Sequence, residues 1–299
     1  MRIDVKPSVE SRYTLDTIGN RTSIAILRCF LVSQRRTFRC VDISRTLGIP
    51  REKVQRRVSE LVRMGVVMEL EDECKGAFRI NPSDPVSLAL FKAFNHERYL
   101  AIDPHIRKEL EGMVKRMDRD RLVSAIIYGS QARGIAERRS DVDALIVHTG
   151  RWIRHPSTLG IDEFALFLSI HIDLHLYNKS NFQAIPNLAV LDAILTGISV
   201  HGHDHLFARR MDPISIEKAV FLHRIEWCQS AFESSRIATG EGRRFFEEKV
   251  EVALVEMESL LSHGYTLSHR EIAPKRRYRQ RIAALERTIE KVEWPIAID

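Results

Sequence analysis

The apolar run Leu122-Val-Ser-Ala-Ile-Ile-Tyr128 stops abruptly at Gly129-Ser130-Gln131-Ala132-Arg133-Gly134; six residues later, Ser140-Asp141-Val142-Asp143 leads into a second apolar run, Ala144-Leu-Ile-Val147. Runs this short and this apolar read as buried strands. The first strand ends on a glycine-serine turn. The second opens with two carboxylates spaced by two, and side chains two apart on a strand share a face. A chain with this pattern is committed to a sheet whose strand ends meet at a polar site.

Such a site suits the magnesium complex of a nucleoside triphosphate, because hard Mg²⁺ takes carboxylate and phosphate oxygens together. Asp141 and Asp143 would hold the same cation. At Gly129 the backbone can come close, so the N–H groups of Gly129 and Ser130, with the Ser130 hydroxyl, would bond the outer phosphates at the positive end of the helix that the turn opens. Arg133 would touch phosphate or brace the turn. Further on, His171-Ile-Asp-Leu-His-Leu-Tyr177 alternates polar and apolar residues and reads as a strand with one buried face. Asp173 belongs to its polar set. If this strand neighbours the one after Asp141, three carboxylates converge on two ions, one polarising an acceptor hydroxyl and one binding the triphosphate, with Asp173 available as base.

Gly129-Ser130, then Asp141-Val142-Asp143, then Asp173 resembles the minimal nucleotidyltransferases of the DNA polymerase β superfamily, over about residues 105–205. The resemblance implies an α/β (α+β) fold with a mixed sheet flanked by helices. It also implies Mg²⁺ dependence, two ions, and transfer of a nucleoside monophosphate from an NTP, ATP among them, with release of pyrophosphate. Asp141, Asp143 and Asp173 are then the catalytic and metal-binding residues, and Gly129, Ser130 and Arg133 bind the nucleotide.

The N-terminal segment has a different character. Between Arg21 and Arg63 stand eleven basic residues and three acidic ones, whereas the whole 299-residue chain carries only +6. Apolar residues recur at helical spacing from Ile24 to Leu31. Asp42 opens a short helix ending at Gly48, and Pro50 suits the first turn of a third helix with Val54, Val58 and Leu61 on one side and arginines on the other. Val66–Leu70 and Ala77–Ile80 read as strands joined by a turn. Helix, helix-turn-helix and β-wing in this order resemble a winged helix-turn-helix domain. The resemblance implies DNA binding through the helix Arg51–Met64, with Arg51, Lys53, Gln55, Arg56 and Arg57 as contacts. The alternative is a small docking or dimerisation domain whose arginines are a solvated face.

Four scattered cysteines, Cys29, Cys40, Cys74 and Cys228, form neither a zinc motif nor a disulfide framework. No apolar run is long enough to span a membrane, so a cytoplasmic protein is expected. Four parts are predicted: a winged helix over 1–82, helical linkage over 83–120, the nucleotidyltransferase domain over 121–210 and a helical domain over 211–299. His171 and His175 share the face of Asp173 and would contact substrate or serve as ordinary strand residues. The cluster His201-Gly-His-Asp-His205 reads as a polar loop at the sheet edge, and Lys275–Arg281 as a nucleic-acid contact or a solvated face. The expected partners are an NTP, DNA, and a protein or RNA acceptor, with the winged helix suggesting a homodimer. Two other readings stand beside this one: a nucleotide-sensing, DNA-binding regulator without transfer activity, and a small-molecule (antibiotic) nucleotidyltransferase.

Overall fold

The computed structural model describes residues 19–32, 37–70, 76–136, 141–150, 172–263 and 278–298. The chain is a mixed α and β protein divided into two compact units, residues 1–94 and 95–299.

The first unit begins with helices α1 (Arg21–Val32), α2 (Cys40–Leu47) and α3 (Arg51–Arg63), the short strand β1 (Phe38–Arg39) lying between α1 and α2. Strands β2 (Val67–Leu70) and β3 (Ala77–Ile80) follow as an antiparallel hairpin, and β1 pairs on the far side of β3. Helix α2 stops where Gly48 takes φ +63°, a left-handed conformation that costs glycine little. Val54, Val58 and Leu61 bury the inner side of α3, and Ile26, Leu27 and Phe30 of α1 complete the core. The elements fall in the expected order. Residues 71–75, expected as a turn and including Cys74, lie outside the described residues.

Helix α4 (Pro85–Leu100) has residues on both sides of the division, and α5 (Pro104–Arg116) follows it. The four-stranded sheet of the second unit has the order β6-β5-β4-β7. Its strands are β4 (Leu122–Ile127), β5 (Val142–His148), β6 (Ile172–Asn178) and β7 (Ile198–His201). Both β5 and β7 run antiparallel to β4, while β6 runs parallel to β5, so the sheet is mixed. On one face Val142, Ala144 and Ile146 of β5 pack with Leu110, Met113 and Met117. The segment expected as helical linkage thus supplies core, its charges occupying the other side of α5. Leu145 and Val147, of opposite parity, are fully buried too. Against the strands lie α7 (Lys179–Ala184), touching β5 and β6, and α9 (His203–Met211), touching β4 and β7.

Two expectations are corrected here. His203 opens helix α9 instead of lying in a polar loop, with Gly202 at φ +70° so close to β4 that a Cβ would overlap the Val123 carbonyl. The region from Ile214 onward is not purely helical: β8 (Ile214–Ile216) pairs antiparallel with β9 (Ile296–Ile298). Between them stand α10 (Lys218–Ile237), α11 (Gly240–His263) and α12 (Tyr278–Lys291). In α12, Arg281 is 13% exposed and binds Glu251 and Glu258, so it is committed inside the fold. Among the described residues no helix is long and apolar enough to cross a membrane.

Candidate active site

The glycine-serine turn is shaped by the carboxylate facing it. Gly129 has φ +69°, and a Cβ built there would overlap the Oδ2 of Asp143, so both conformation and space require glycine. The Tyr128 N–H donates to the Asp143 carbonyl at 3.0 Å. From Gly129 the chain makes the short helix α6 (Gly129–Arg133), which ends at Gly134 with φ +68°. Ile135 N–H then donates to the Ser130 carbonyl at 3.1 Å. Ser130 is thereby fixed beside the carboxylates.

The parallel pairing of β5 and β6 sets Asp143 directly across from Asp173. Parity puts both on the sheet face opposite the Val142-Ala144-Ile146 core, together with His175. Asp173 is 55% exposed and stands 3.4 Å from His175 Nε2. Asp143 is half-buried, and Asp141 is exposed one residue before β5. Burial raises the proton affinity of Asp143 above that of an ordinary carboxylate; the charges of Asp173 and Asp192 raise it further, against smaller opposing effects of Lys249 and His175. The buried Tyr128 hydroxyl is pushed well up by the same causes, burial first and then Asp143 and Asp173.

Among the described residues no three histidine, cysteine or carboxylate groups converge tightly enough to enclose an ion. Magnesium does not demand such a cage. It is held typically by one or two carboxylates, with substrate phosphates and water filling the octahedron. The in-register pair fits that donor set, and the side-chain-free surface of Gly129 makes room for the Asp143 carboxylate.

Asp141, Asp143 and the glycine-serine turn open onto a cleft of about 590 Å³, whose lining does not include Asp173. Tyr128, Gly129, Ser130, Asp141, Asp143 and His175 line one side; helix α8 (Leu188–Thr196), α10 and α11 line the other. Three residues of that far wall were not singled out by the sequence. Lys249 acts electrostatically on Asp143, and its ammonium lies over the Phe245 ring at 5.5 Å with no carboxylate at ion-pair distance among the described residues. Trp227 is 37% exposed, and the Arg224 guanidinium stacks on it at 4.8 Å. Arg224 itself is tied to Glu256 at 3.0 Å. No motif marks these positions; only the packing of α10 and α11 brings them to the carboxylates.

Arg133 also lines the cleft, but its Nη1 binds Asp192 Oδ2 at 2.7 Å, with both side chains at least four-fifths buried. Asp192 accepts a further hydrogen bond from Thr196 Oγ1 at 2.8 Å. In this arrangement Arg133 braces α6 against α8. A second brace, Arg98, donates to the carbonyls of Ala132 at 3.0 Å, Thr196 at 2.5 Å and Gly197 at 3.3 Å. It caps the C-terminal ends of both helices, where a cation is favoured.

His171 lies outside the described residues. His175 is in the cleft, and its ring meets that of Tyr128 at 6.2 Å in an edge-to-face contact. His201 ends β7, at the opposite edge of the sheet from β6, and His203 and His205 belong to α9, where the His205 ring meets that of Phe182 at 5.4 Å. In the first unit, Arg51, Lys53, Gln55 and Arg56 of α3 are exposed, whereas Arg57 is turned onto Glu60 at 2.5 Å. A groove of about 660 Å³ between α3 and the strands is lined by Arg39, Arg51, Gln55 and Arg63, among others.

No protein family, no curated protein and no solved structure matches this chain.

Proposed function

We propose that the chain is an Mg²⁺-dependent nucleotidyltransferase of the polymerase β type, moving a nucleoside monophosphate from an NTP to a hydroxyl of a protein or RNA acceptor, and that its first unit is a DNA-binding winged helix. The observation that carries the reading is the pairing of Asp143 with Asp173 in adjacent parallel strands, with Gly129 pressed against Asp143. Two aligned carboxylates repel one another, and a sheet that holds them together at a glycine turn is arranged for a cation and phosphates.

Asp141 and Asp143 would hold the metal with the triphosphate, and Asp173 would join them. Bound Mg²⁺ would supply neutralisation of phosphate charge and a lowered pKa for the acceptor hydroxyl. The chain's own groups do the rest. Backbone N–H groups at Gly129 and Ser130, the Ser130 hydroxyl and the Lys249 ammonium bind the outer phosphates. The exposed side of Trp227 offers a surface for the base. Asp173 takes the acceptor proton; the acceptor oxygen forms a bond to the α-phosphorus as the bond from that phosphorus to the bridging oxygen breaks, and pyrophosphate leaves. In the first unit, the exposed cations of α3 would meet DNA phosphates and base edges.

The test is to incubate the full chain with each α-labelled NTP, Mg²⁺ and a lysate of its host, beside an Asp141→Ala/Asp143→Ala control. Label on a protein or RNA band with the wild type alone establishes the transfer and identifies the acceptor. Binding of Mg-NTP without transfer of any label makes the nucleotide-sensing regulator the better account.

A further inference from the structure

A second cavity, of about 490 Å³, lies at the other edge of the sheet and shares no lining residue with the carboxylate cleft. Its walls come from α4, α5, β7 and the start of α9. The size falls within the range of pockets that take small organic ligands, about 300–1,000 Å³.

The floor is built and fixed. Asn95, buried at 2% exposure, donates from Nδ2 to the Ser199 carbonyl and accepts at Oδ1 from the Ser199 N–H, both at 2.8 Å. These two bonds settle the orientation of the amide, because a flip would set donor against donor. The Nδ2 group then faces His203 Nδ1 at 3.3 Å. Nδ1 must accept, which leaves the proton of the neutral ring on Nε2. One turn further along α4 the Tyr99 hydroxyl donates to Glu111 Oε1 at 2.9 Å, engaging the one carboxylate among the described lining residues.

The remaining polar lining is cationic or imidazole: Lys115, Arg119, His96 and His201. Lys115 and Arg119 are exposed, and among the described residues neither has a carboxylate at ion-pair distance. Val114, Leu122 and Val200 give the cavity an apolar side. Two cations with no ion-pair partner among the described residues, two imidazoles and an adjacent apolar wall match a ligand with a phosphate at one end and an organic body at the other.

We propose that this cavity is a second ligand site, taking an organic phosphomonoester of about mononucleotide size, its phosphate on Lys115 and Arg119 and its organic part against Val114, Leu122 and Val200. The site is independent of the reading given to the carboxylate cleft.

Calorimetric titration of the full chain with a nucleoside 5′-monophosphate, the uncharged nucleoside and inorganic phosphate tests it, in wild type, Lys115→Ala/Arg119→Ala and Asp143→Ala. The monophosphate should bind wild type and Asp143→Ala alike, and at least tenfold more weakly to the double variant. Nucleoside and inorganic phosphate should each bind at least tenfold more weakly than the monophosphate. Both substituted side chains are exposed, so the double variant should keep the wild-type circular dichroism, and Lys115→Arg should retain binding. Absence of monophosphate binding overturns the proposal. So does binding that survives the double substitution, that is lost in Asp143→Ala, or that inorganic phosphate matches. A 5′-phosphorylated tetranucleotide separates two sources of the chemistry: equal binding places a strand end in the cavity and exclusion places a free metabolite there, and either supports the site.

Discussion

Helix α3 and the carboxylate cleft both gather cations, and they dispose of them differently. On α3, Arg51, Lys53 and Arg56 are exposed and, among the described residues, only Arg57 is held, by Glu60. In the cleft, Arg133 is spent on Asp192 and Arg224 on Glu256, leaving Lys249 facing the acidic pair without an ion-pair partner among the described residues. A count of arginines therefore says little about charge available to a ligand; the inventory of their partners says more. Helix α3 presents its cations to solvent, as the proposed DNA contact requires. In the cleft most positive charge has become structure.

The sharpest way to break this contrast is at the acidic pair. Asp143→Asn should lower transfer by more than about 10²-fold, as should Asp173→Asn if it is the base, since a positioned general base contributes about 10² to 10⁴. Labelled-NTP turnover measures both. The same Asp143→Asn change should stabilise the metal-free protein at neutral pH. Because burial and like charge raise the folded-state proton affinity of Asp143, the folded protein binds more protons than the unfolded chain between the two pKa values. Wild type therefore gains stability as pH falls through that window, and the advantage of asparagine should shrink with it. Thermal melts at neutral and acidic pH check the sign.

Next comes Arg133→Ala, which leaves Asp192 buried without its partner and should cost about 3 kcal/mol of stability. Denaturant unfolding measures it. A loss of NTP binding with unchanged stability would instead make Arg133 a ligand contact. Lys249→Ala should do the opposite: stability nearly unchanged, and KM for the NTP raised about tenfold or more, as loss of a charged hydrogen bond worth about 1.5–3 kcal/mol implies. The smallest effects are on α3. Each of Arg51→Ala and Arg56→Ala should reduce the slope of log K against log salt for DNA binding by about 0.9, and Arg57→Ala by nothing. Equal effects of all three would erase the difference drawn between α3 and the cleft.

Much of the site was legible because it is local. Period-two alternation and a glycine turn are written in consecutive residues, so the strands at Leu122, Val142 and Ile172 and the parity of Asp173 with His175 could be read directly. The pairing of Asp143 with Asp173 could only be posed as a condition, because a parallel neighbour is chosen by tertiary packing. In the stretch from Glu109 to Arg121, abundant charge obscured Leu110, Met113 and Met117, which face the sheet. Ile214–Ile216 is too short to declare itself a strand without its distant partner Ile296–Ile298. His203 and His205 looked like a loop because imidazoles favour helix weakly, whereas what sets the helix start is the close approach of Gly202 to β4. Lys249, Trp227 and Arg98 carry no local signal at all; each acquires its place from helices packed far along the chain.

Among the described residues Asp173 sits on β6, the outermost strand of its sheet. An edge strand is held by hydrogen bonds on one side and is free to fray while the interior stays paired. A slip of one residue would send Asp173 to the core face and bring Leu174 beside Asp143. The carboxylate pair is thus a register gauge, reading correctly only when β6 has docked in the right frame. Mild heat or denaturant that loosens this border should silence the site while helices and inner strands persist, making lost turnover an early alarm for unfolding that circular dichroism would register later.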